Sequence, residues 1–438
     1  MKFFSLILKC FYFLLPKFFR DQYSDTIHLY FELLSKIKNK IYCNSNRHKN
    51  NDVEILKINL LDSIDELDCK SELLFSSTNR ISFINAPKIC IDNQNYFKSK
   101  LHNNVPDINI YKLHNVKVVG HTDALLSGDN FTHFELTFME DFHDLKRPEI
   151  FSKNNDNSYN ITVNYQERDR YTKRYITLLK EHSINYFHWT TEAIPRIVMI
   201  LDLLKKQVNG LDLNEYTVLV DDGLPKQCID MLNILIAKEI NIIFLKKGES
   251  FFCEELIYCT PLWHSLDNTT GLPNPKKEFF VDKYALEIVR EAILSSFNKS
   301  NRNISDLKKV YLQRLNNKLR PITNLNEVEL LLFKSGFEFI DVGSLDFFEQ
   351  IELFQGADVV IGASGASFTN LLFMNKDSKA INFYPSTSAT NYYVFQPLAD
   401  VSGVDLTHFL TTPKNGEISV HAESSIDLKN LELFLKEV

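Results

Sequence analysis

No surplus of basic charge runs through this 438-residue chain, whose formal net charge is -7. Little is therefore available to neutralise a phosphate backbone, and nucleic acid is not the expected partner. The seven cysteines (Cys10, Cys43, Cys69, Cys90, Cys228, Cys253 and Cys259) are scattered, odd in number and nowhere spaced as CxxC. That pattern argues against a zinc ribbon and a disulfide framework, and it fits a reducing compartment. GxxxxGK[ST], HExxH and GxSxG strings are missing too, which excludes the usual P-loop, zincin and α/β-hydrolase signatures. No internal repeat occurs. Nor is there an unbroken run of the roughly 20 apolar residues that a bilayer span needs.

The nearest approach to such a run is Met1–Arg20, apolar and aromatic but interrupted by Lys9 and Pro16. Lys9 also splits the core that a signal peptide requires, and no small-residue cleavage site follows. On a helical wheel Lys2 and Lys9 share a face, with Lys17 and Arg20 near it. A narrow cationic stripe on an apolar helix suits a segment lying in the membrane interface; a helix packed on the protein's own core is the other reading.

What is present is the composition of an ordinary globular protein, 44% hydrophobic and 24% charged, at a length that suggests two domains. Short β-like runs appear at 116–119 and 134–138, followed by a polar stretch, Ser152–Asn160, that reads as a loop. A strand is expected at 174–179, then a helix carrying Ile197, Ile200, Leu201 and Leu204 at helical spacing. Strands at 217–220 and 240–245 flank a helix at 228–237, and an irregular loop spans Pro261–Lys277. A long helix at 281–297 leads to a polar linker at 298–306. A second series follows, with strands at 309–312, 337–342, 359–361 and 380–384, helices at 326–334, 345–354 and from 368, and a last helix at 426–438. Alternating strands and helices mean βαβ units around parallel sheets. The expected division is an N-terminal segment 1–20, an N-terminal α/β domain 21–300, a C-terminal domain 301–425 and a terminal helix 426–438.

Three groupings are able to carry chemistry. The stretch Ala357–Met374 reads as a buried strand, a turn of small residues and a helix capped by Ser364, Ser367 or Thr369. Gly362 and Gly365 allow unusual dihedrals and close ligand approach, and the free amides suit an anion; a tight turn with no ligand fits the pattern equally well. Arg314 and Arg320 follow a strand, on the side where α/β sheets bind ligands, and each offers a fork of donors for phosphate. A solvated surface charge is the plain alternative for either one. His188 and Glu192, four residues apart, share a helix face, where one of them is able to take a proton from an attacking hydroxyl. Against that stand a histidine stacked beside Trp189 and a first-turn acid favoured by the helix dipole. Asp221-Asp222 follows a strand, a placement that suits a metal-nucleotide site, but Asp222-Gly223 is read as an ordinary turn in preference, and Trp263-His264 either as a stacking platform or as a loop anchor.

Several strings, taken in order, resemble glycosyltransferase family 61, which includes bacterial capsular-polysaccharide enzymes. They are Tyr186-Phe187-His188-Trp189 with Glu192 and Pro195-Arg196; Tyr311-Leu312-Gln313-Arg314 with Arg320, Asn324 and Glu327-Val328; and Phe347 to Phe373, with Glu349-Gln350-Ile351, Gly362, Gly365-Ala366 and Thr369-Asn370-Leu371-Leu372-Phe373. The resemblance is good over 308–410, looser from 112, and absent in the first hundred residues. It implies a GT-B-like fold of two Rossmann-type domains facing a cleft, a nucleotide-sugar donor, a glycan or lipid-linked acceptor, and inversion without a metal or other cofactor. It further implies that Arg314, Arg320, Ser364, Gly365, Ala366, Ser367 and Asn370 hold the donor diphosphate, with Glu192 or His188 as base and Glu192 slightly favoured. The chain departs from the family at Ser364 and Ser367, where His and Gly are usual, and at Asn382, where an acid is common. A serine cannot carry positive charge, so these departures favour a second reading, a non-catalytic sugar-binding or scaffold relative. The expected location is cytoplasmic, at the inner face of a membrane. A lumenal relative is the third reading, lacking the signal or span it needs.

Overall fold

A computed structural model describes residues 53–92, 94–134, 150–166, 173–207, 215–236, 240–265, 274–296, 306–314 and 320–438. The apolar segment 1–20, nearly all of the strand expected at 134–138 and nearly all of the linker expected at 298–306 lie outside them. The chain is mixed α/β.

The C-terminal sheet is the simpler of two large ones. Val359–Ala363 is buried at every position, as an unbroken Val-Val-Ile run requires, and it forms the centre of the sheet. Numbered by their place in the chain, the strands Lys309–Leu312, Glu338–Ile340, Val359–Ala363, Lys379–Pro385 and Asp405–Pro413 lie side by side in the order 2-1-3-4-5, all parallel. Helices Leu325–Lys334, Phe347–Gly356 and Gln396–Ser402 and the 3-10 helix Ala366–Phe373 make the crossovers. Winding reverses between the first and third strands, so a crevice opens at their carboxyl ends, beyond Leu312 and Ala363.

The sheet continues with residues from far away in sequence. Lys88–Ile91 pairs in parallel with Asp405–Pro413, and Gln94–Phe97 adds antiparallel to it as an edge. These strands come from a stretch that the sequence reading left without assigned structure, because periodicity over four residues does not disclose a partner three hundred residues on.

The other sheet has eleven strands. Its parallel part runs Ser250–Cys259, Arg174–Thr177, Tyr216–Asp221, Asn241–Leu245 in space. Winding reverses here as well, at Arg174–Thr177. Ser250–Cys259 then pairs antiparallel with Ile108–Val119, and an antiparallel meander follows that sequence periodicity did not reveal. One correction falls within it. Ser152–Asn160, read as a loop, is one only at 154–158; its two ends belong to the paired strands Phe151–Lys153 and Tyr159–Asn164. Its polar residues bond one another: Asn154 Nδ2 donates to Ser158 Oγ at 2.9 Å, Asn160 Nδ2 donates to Asn154 Oδ1 at 2.8 Å, and Lys57 donates to Asp156 at 2.6 Å.

Helices from both sheets share one apolar cluster, which includes Ile197, Ile200, Leu286, Val289, Phe347, Phe368, Leu371 and Leu398. Phe187 meets Trp263 and Phe395 edge-on at 5.8 and 5.7 Å, and the Arg290 guanidinium donates to the Leu372 carbonyl and, at 2.9 Å, to the Met374 carbonyl. On the far side of this core Arg196 forms a two-pronged pair with Asp123, Nη1–Oδ1 2.9 Å and Nη2–Oδ2 3.3 Å, and Tyr258 donates to the same carboxylate at 3.2 Å. Arg196 is 1% exposed. Arg196→Ala leaves that carboxylate buried without its counter-charge and is expected to cost about 3–5 kcal/mol, read as a lower urea midpoint with an unchanged slope.

Candidate active site

The crevice between the first and third strands of the C-terminal sheet is lined by the two arginines. Arg314 stands two residues beyond Leu312, and its Nη1 donates to the Ser364 carbonyl at 2.8 Å. Arg320 Nη1 donates to the same oxygen, also at 2.8 Å. The Arg320 backbone has φ +57°, a left-handed conformation rarely adopted by long side chains. It is held there by Arg320 N–H on the His421 carbonyl at 3.3 Å and Nε–H on the Val420 carbonyl at 2.9 Å. Such strain persists only where its surroundings fix it, and it is commonest at ligand sites.

Two guanidinium groups on one carbonyl repel each other. Burial, and then the Arg320 charge, push Arg314 down to about 10, still protonated at neutral pH. Among the described residues neither arginine pairs with a carboxylate. Partly buried cations normally find a counter-charge, and two guanidinium forks side by side are able to take an anion.

Ser364 is buried, and its N–H bonds the Phe383 carbonyl at 3.0 Å. Gly365 is fully extended (φ 178°), so the unusual dihedral expected there is absent. Its function is spatial: a Cβ at Gly365 would lie 3.3 Å from Arg314 Cζ. The following segment is a 3-10 helix starting at Ala366, not an α-helix from Phe368, and no side chain caps it, so Ser364, Ser367 and Thr369 are not caps. Ala366 and Ser367 are half-buried at its start. Asn370 is fully buried and engaged within the protein: it donates to Gln350 Oε1 at 2.9 Å and accepts from Tyr186 OH at 2.6 Å. It is a joint between the two sheets' helices rather than a lining residue.

That joint brings the second cluster close. Asn185 caps the helical run with its side chain on the Phe187 N–H at 2.9 Å. Trp189–Ala193 then widens into a π-helical turn, with Thr190 and Thr191 hydroxyls bonded back to the Tyr186 and Phe187 carbonyls at 2.8 and 2.7 Å. Wide turns of this kind are frequent at functional sites. Across it His188 Nδ1 meets Glu192 Oε1 at 2.8 Å, and Lys180 Nζ meets Glu192 Oε2 at 3.1 Å. The Glu192 and Lys180 side chains are each 3% exposed, whereas that of His188 is 16% exposed. A carboxylate on Nδ1 makes that nitrogen the donor and leaves the lone pair on Nε2. Trp189 does not stack on the histidine; it is buried and donates to the Cys228 carbonyl at 3.0 Å.

Lys180 was not singled out from sequence, since a lysine after a strand looks like surface. Asp221 explains its placement. This buried carboxylate accepts from Lys180 N–H at 3.1 Å, Ser183 Oγ and His121 N–H, tying the loop before the π-turn to the strand end. Asp222-Gly223 is the turn expected, with Gly223 at φ +80°; Asp221, at the strand end, is an internal brace, and Asp222 meets His121 Nε2 at 2.9 Å. Trp263 is a buried anchor between Phe187 and Phe279, but on a short strand, Trp263–Ser265, that pairs with Phe279–Val281 where an irregular loop was expected. No group of three or more His, Cys, Asp or Glu side chains arranged to hold a metal occurs among the described residues.

Asn382 pairs with His408: its Nδ2 donates to His408 Nδ1 at 3.1 Å, and His408 Nε2 donates to the Tyr392 carbonyl at 3.0 Å. Burial pushes His408 down to about 4 and Asp221 up to about 6. The lowered histidine contributes stability that is present above its ordinary 6.5 and is lost as pH falls through about 4. The raised carboxyl does the reverse, contributing fully below 3.8 and less as pH rises through about 6. His408→Gln keeps one acceptor and one donor but cannot titrate. Its urea midpoint is expected to fall less than that of the parent between pH 7 and pH 4.5.

Residues 186–381 match the family model described as Glycosyltransferase 61. No curated protein gives a match. The matched segment takes in His188, Glu192, Arg314, Arg320 and the Ser364–Ser367 turn, and it supports glycosyltransferase activity in general, with a sugar donor and an acceptor as partners.

Proposed function

From a glycosyltransferase 61 segment that carries both clusters, we propose an inverting, metal-independent glycosyltransferase of GT-B type, acting in surface-polysaccharide synthesis at a membrane's inner face. The observation that carries the reading is the convergence of Arg314 and Arg320 on the Ser364 carbonyl at a topological switch point. Two fixed guanidinium groups match a diphosphate and supply the positive charge that its departure needs. The base is His188 rather than the slightly favoured Glu192. Glu192 is buried and held by Lys180, whereas the His188 ring is the more exposed and has its Nε2 lone pair free for an acceptor hydroxyl. In the forward step that hydroxyl loses its proton to Nε2 as its oxygen attacks the anomeric carbon, and the glycosyl–phosphate bond breaks. Glu192 then stabilises the imidazolium.

The binding-protein reading rests on the side chain at position 364, a serine that cannot carry positive charge where the family that the chain resembles usually has a histidine. Turnover decides between them. A panel of UDP- and GDP-sugars is expected to yield free nucleoside diphosphate in the presence of EDTA, with one donor well above the rest. Binding of UDP or GDP without turnover of any donor favours the non-catalytic relative, and no response to either nucleotide removes the donor-site assignment.

A further inference from the structure

Exposed apolar side chains are unevenly spread. Ile81, Phe83, Ile91, Tyr96 and Phe97 lie within seventeen residues, and Ile81 and Phe97 are 67% and 66% exposed. Three of them lie on Lys88–Ile91 and its edge neighbour Gln94–Phe97, and two on Arg80–Ile84, which pairs antiparallel with Leu101–Val105. Ile81, Phe83 and Tyr284 help to line a shallow cavity of about 220 Å³.

The charge around them is equally uneven. Residues 80–105 hold Arg80, Lys88, Lys98 and Lys100 against one carboxylate, Asp92, in a chain of net charge -7. Lys100 Nζ lies 5.3 Å and Lys283 Nζ 5.9 Å from the Phe83 ring centre, and Lys98 Nζ lies 5.0 Å from that of Tyr392. Three of the cations on this face are answered by acids. Lys88 pairs with Asp405, itself 50% exposed, whereas Lys283 and Arg80 pair with Asp400 and Asp282, which are 4% and 2% exposed and lie deeper than the cations. Lys98 and Lys100 make no ion pair among the described residues.

We propose that this face, residues 80–105 with Lys283 and Tyr284, docks on an anionic bilayer surface. Protein interfaces favour a contiguous apolar core and are depleted in lysine. Here aromatic and aliphatic side chains stand singly among lysines and asparagines, the composition of a membrane–water boundary. Lys98 and Lys100, exposed and outside these ion pairs, complement acidic headgroups. The proposal concerns a surface apart from residues 1–20 and does not depend on sugar transfer.

The full-length chain is tested by flotation with phosphatidylcholine vesicles, with and without a third of phosphatidylglycerol. Binding is expected to need the anionic lipid, and Lys98→Ala/Lys100→Ala to lower partitioning about 10- to 30-fold, with unchanged thermal unfolding. Because residues 1–20 also bear on vesicle binding, contact is read locally as well. Trp189 and Trp263 are both buried, so the indole of Phe97→Trp reports its own surroundings. Brominated lipid in anionic vesicles is expected to quench it. Absence of quenching, equal binding to neutral vesicles, or a double variant that partitions like the parent overturns the proposal. So does a sedimentation shift in the variants showing that the face joins two copies of the chain.

Discussion

Arg314→Ala is expected to reduce sugar transfer by about three orders of magnitude, the loss typical when a cation facing a departing phosphate is removed. The same variant should abolish the metal-free thermal stabilisation that UDP or GDP gives the parent. The argument is electrostatic. Arg314 and Arg320 share one carbonyl oxygen at 2.8 Å, so most of their charge is left for a ligand. Arg320→Ala removes less, because Arg314 keeps its bond to Ser364 and its position against Gly365. Arg314→Lys keeps the charge but not the planar fork, and recovers only part of the loss. The sign of the pH dependence follows as well. Arg314 titrates at about 10 and binds an anion only when protonated, so affinity for nucleoside diphosphate falls as pH rises through that value. Unchanged stabilisation in Arg314→Ala would remove the arginine pair from the donor site.

His188→Ala is expected to lower kcat by two to four orders of magnitude, about what a positioned general base contributes, with little change in donor affinity. Glu192→Gln tests the division of labour. An amide oxygen still accepts from Nδ1–H, so the ring keeps its orientation, but a neutral amide no longer supports the imidazolium formed in the transition state. A smaller loss in kcat than that of His188→Ala is the expected result. Lys180→Met takes away the cation 3.1 Å from Glu192 and leaves that buried carboxylate charged beside His188, so a lower urea midpoint is expected. If His188→Ala retains activity while Glu192→Gln loses it, the roles are reversed.

Much of the geometry around the two arginines was legible because neighbours in the sheet are also close in a simple pattern. An apolar run followed by Gly-Ala-Ser-Gly marked the central strand end, and a strand followed by arginine marked its neighbour. Other matched residues proved to be scaffold. Gln350 and Asn370 link helices, Glu349 completes a capping box with Asp346, and Asn324 brackets the Ile426 backbone from both sides at 2.8 and 3.0 Å. A motif letter does not say whether an amide faces a ligand or a carbonyl.

By itself the sequence determined the alternation of strands and helices, the strand-end turn at Ser364–Ser367 and the pairing of His188 with Glu192, because hydrophobic period and i,i+4 spacing are local quantities. Tertiary structure alone decided that both arginines meet at one oxygen, that a buried lysine holds the glutamate behind the histidine, and that residues 88–97 complete a sheet they precede by two hundred positions. Those facts depend on how distant backbone segments pack, and burial, which sets each group's charge and reach, exists only once they have.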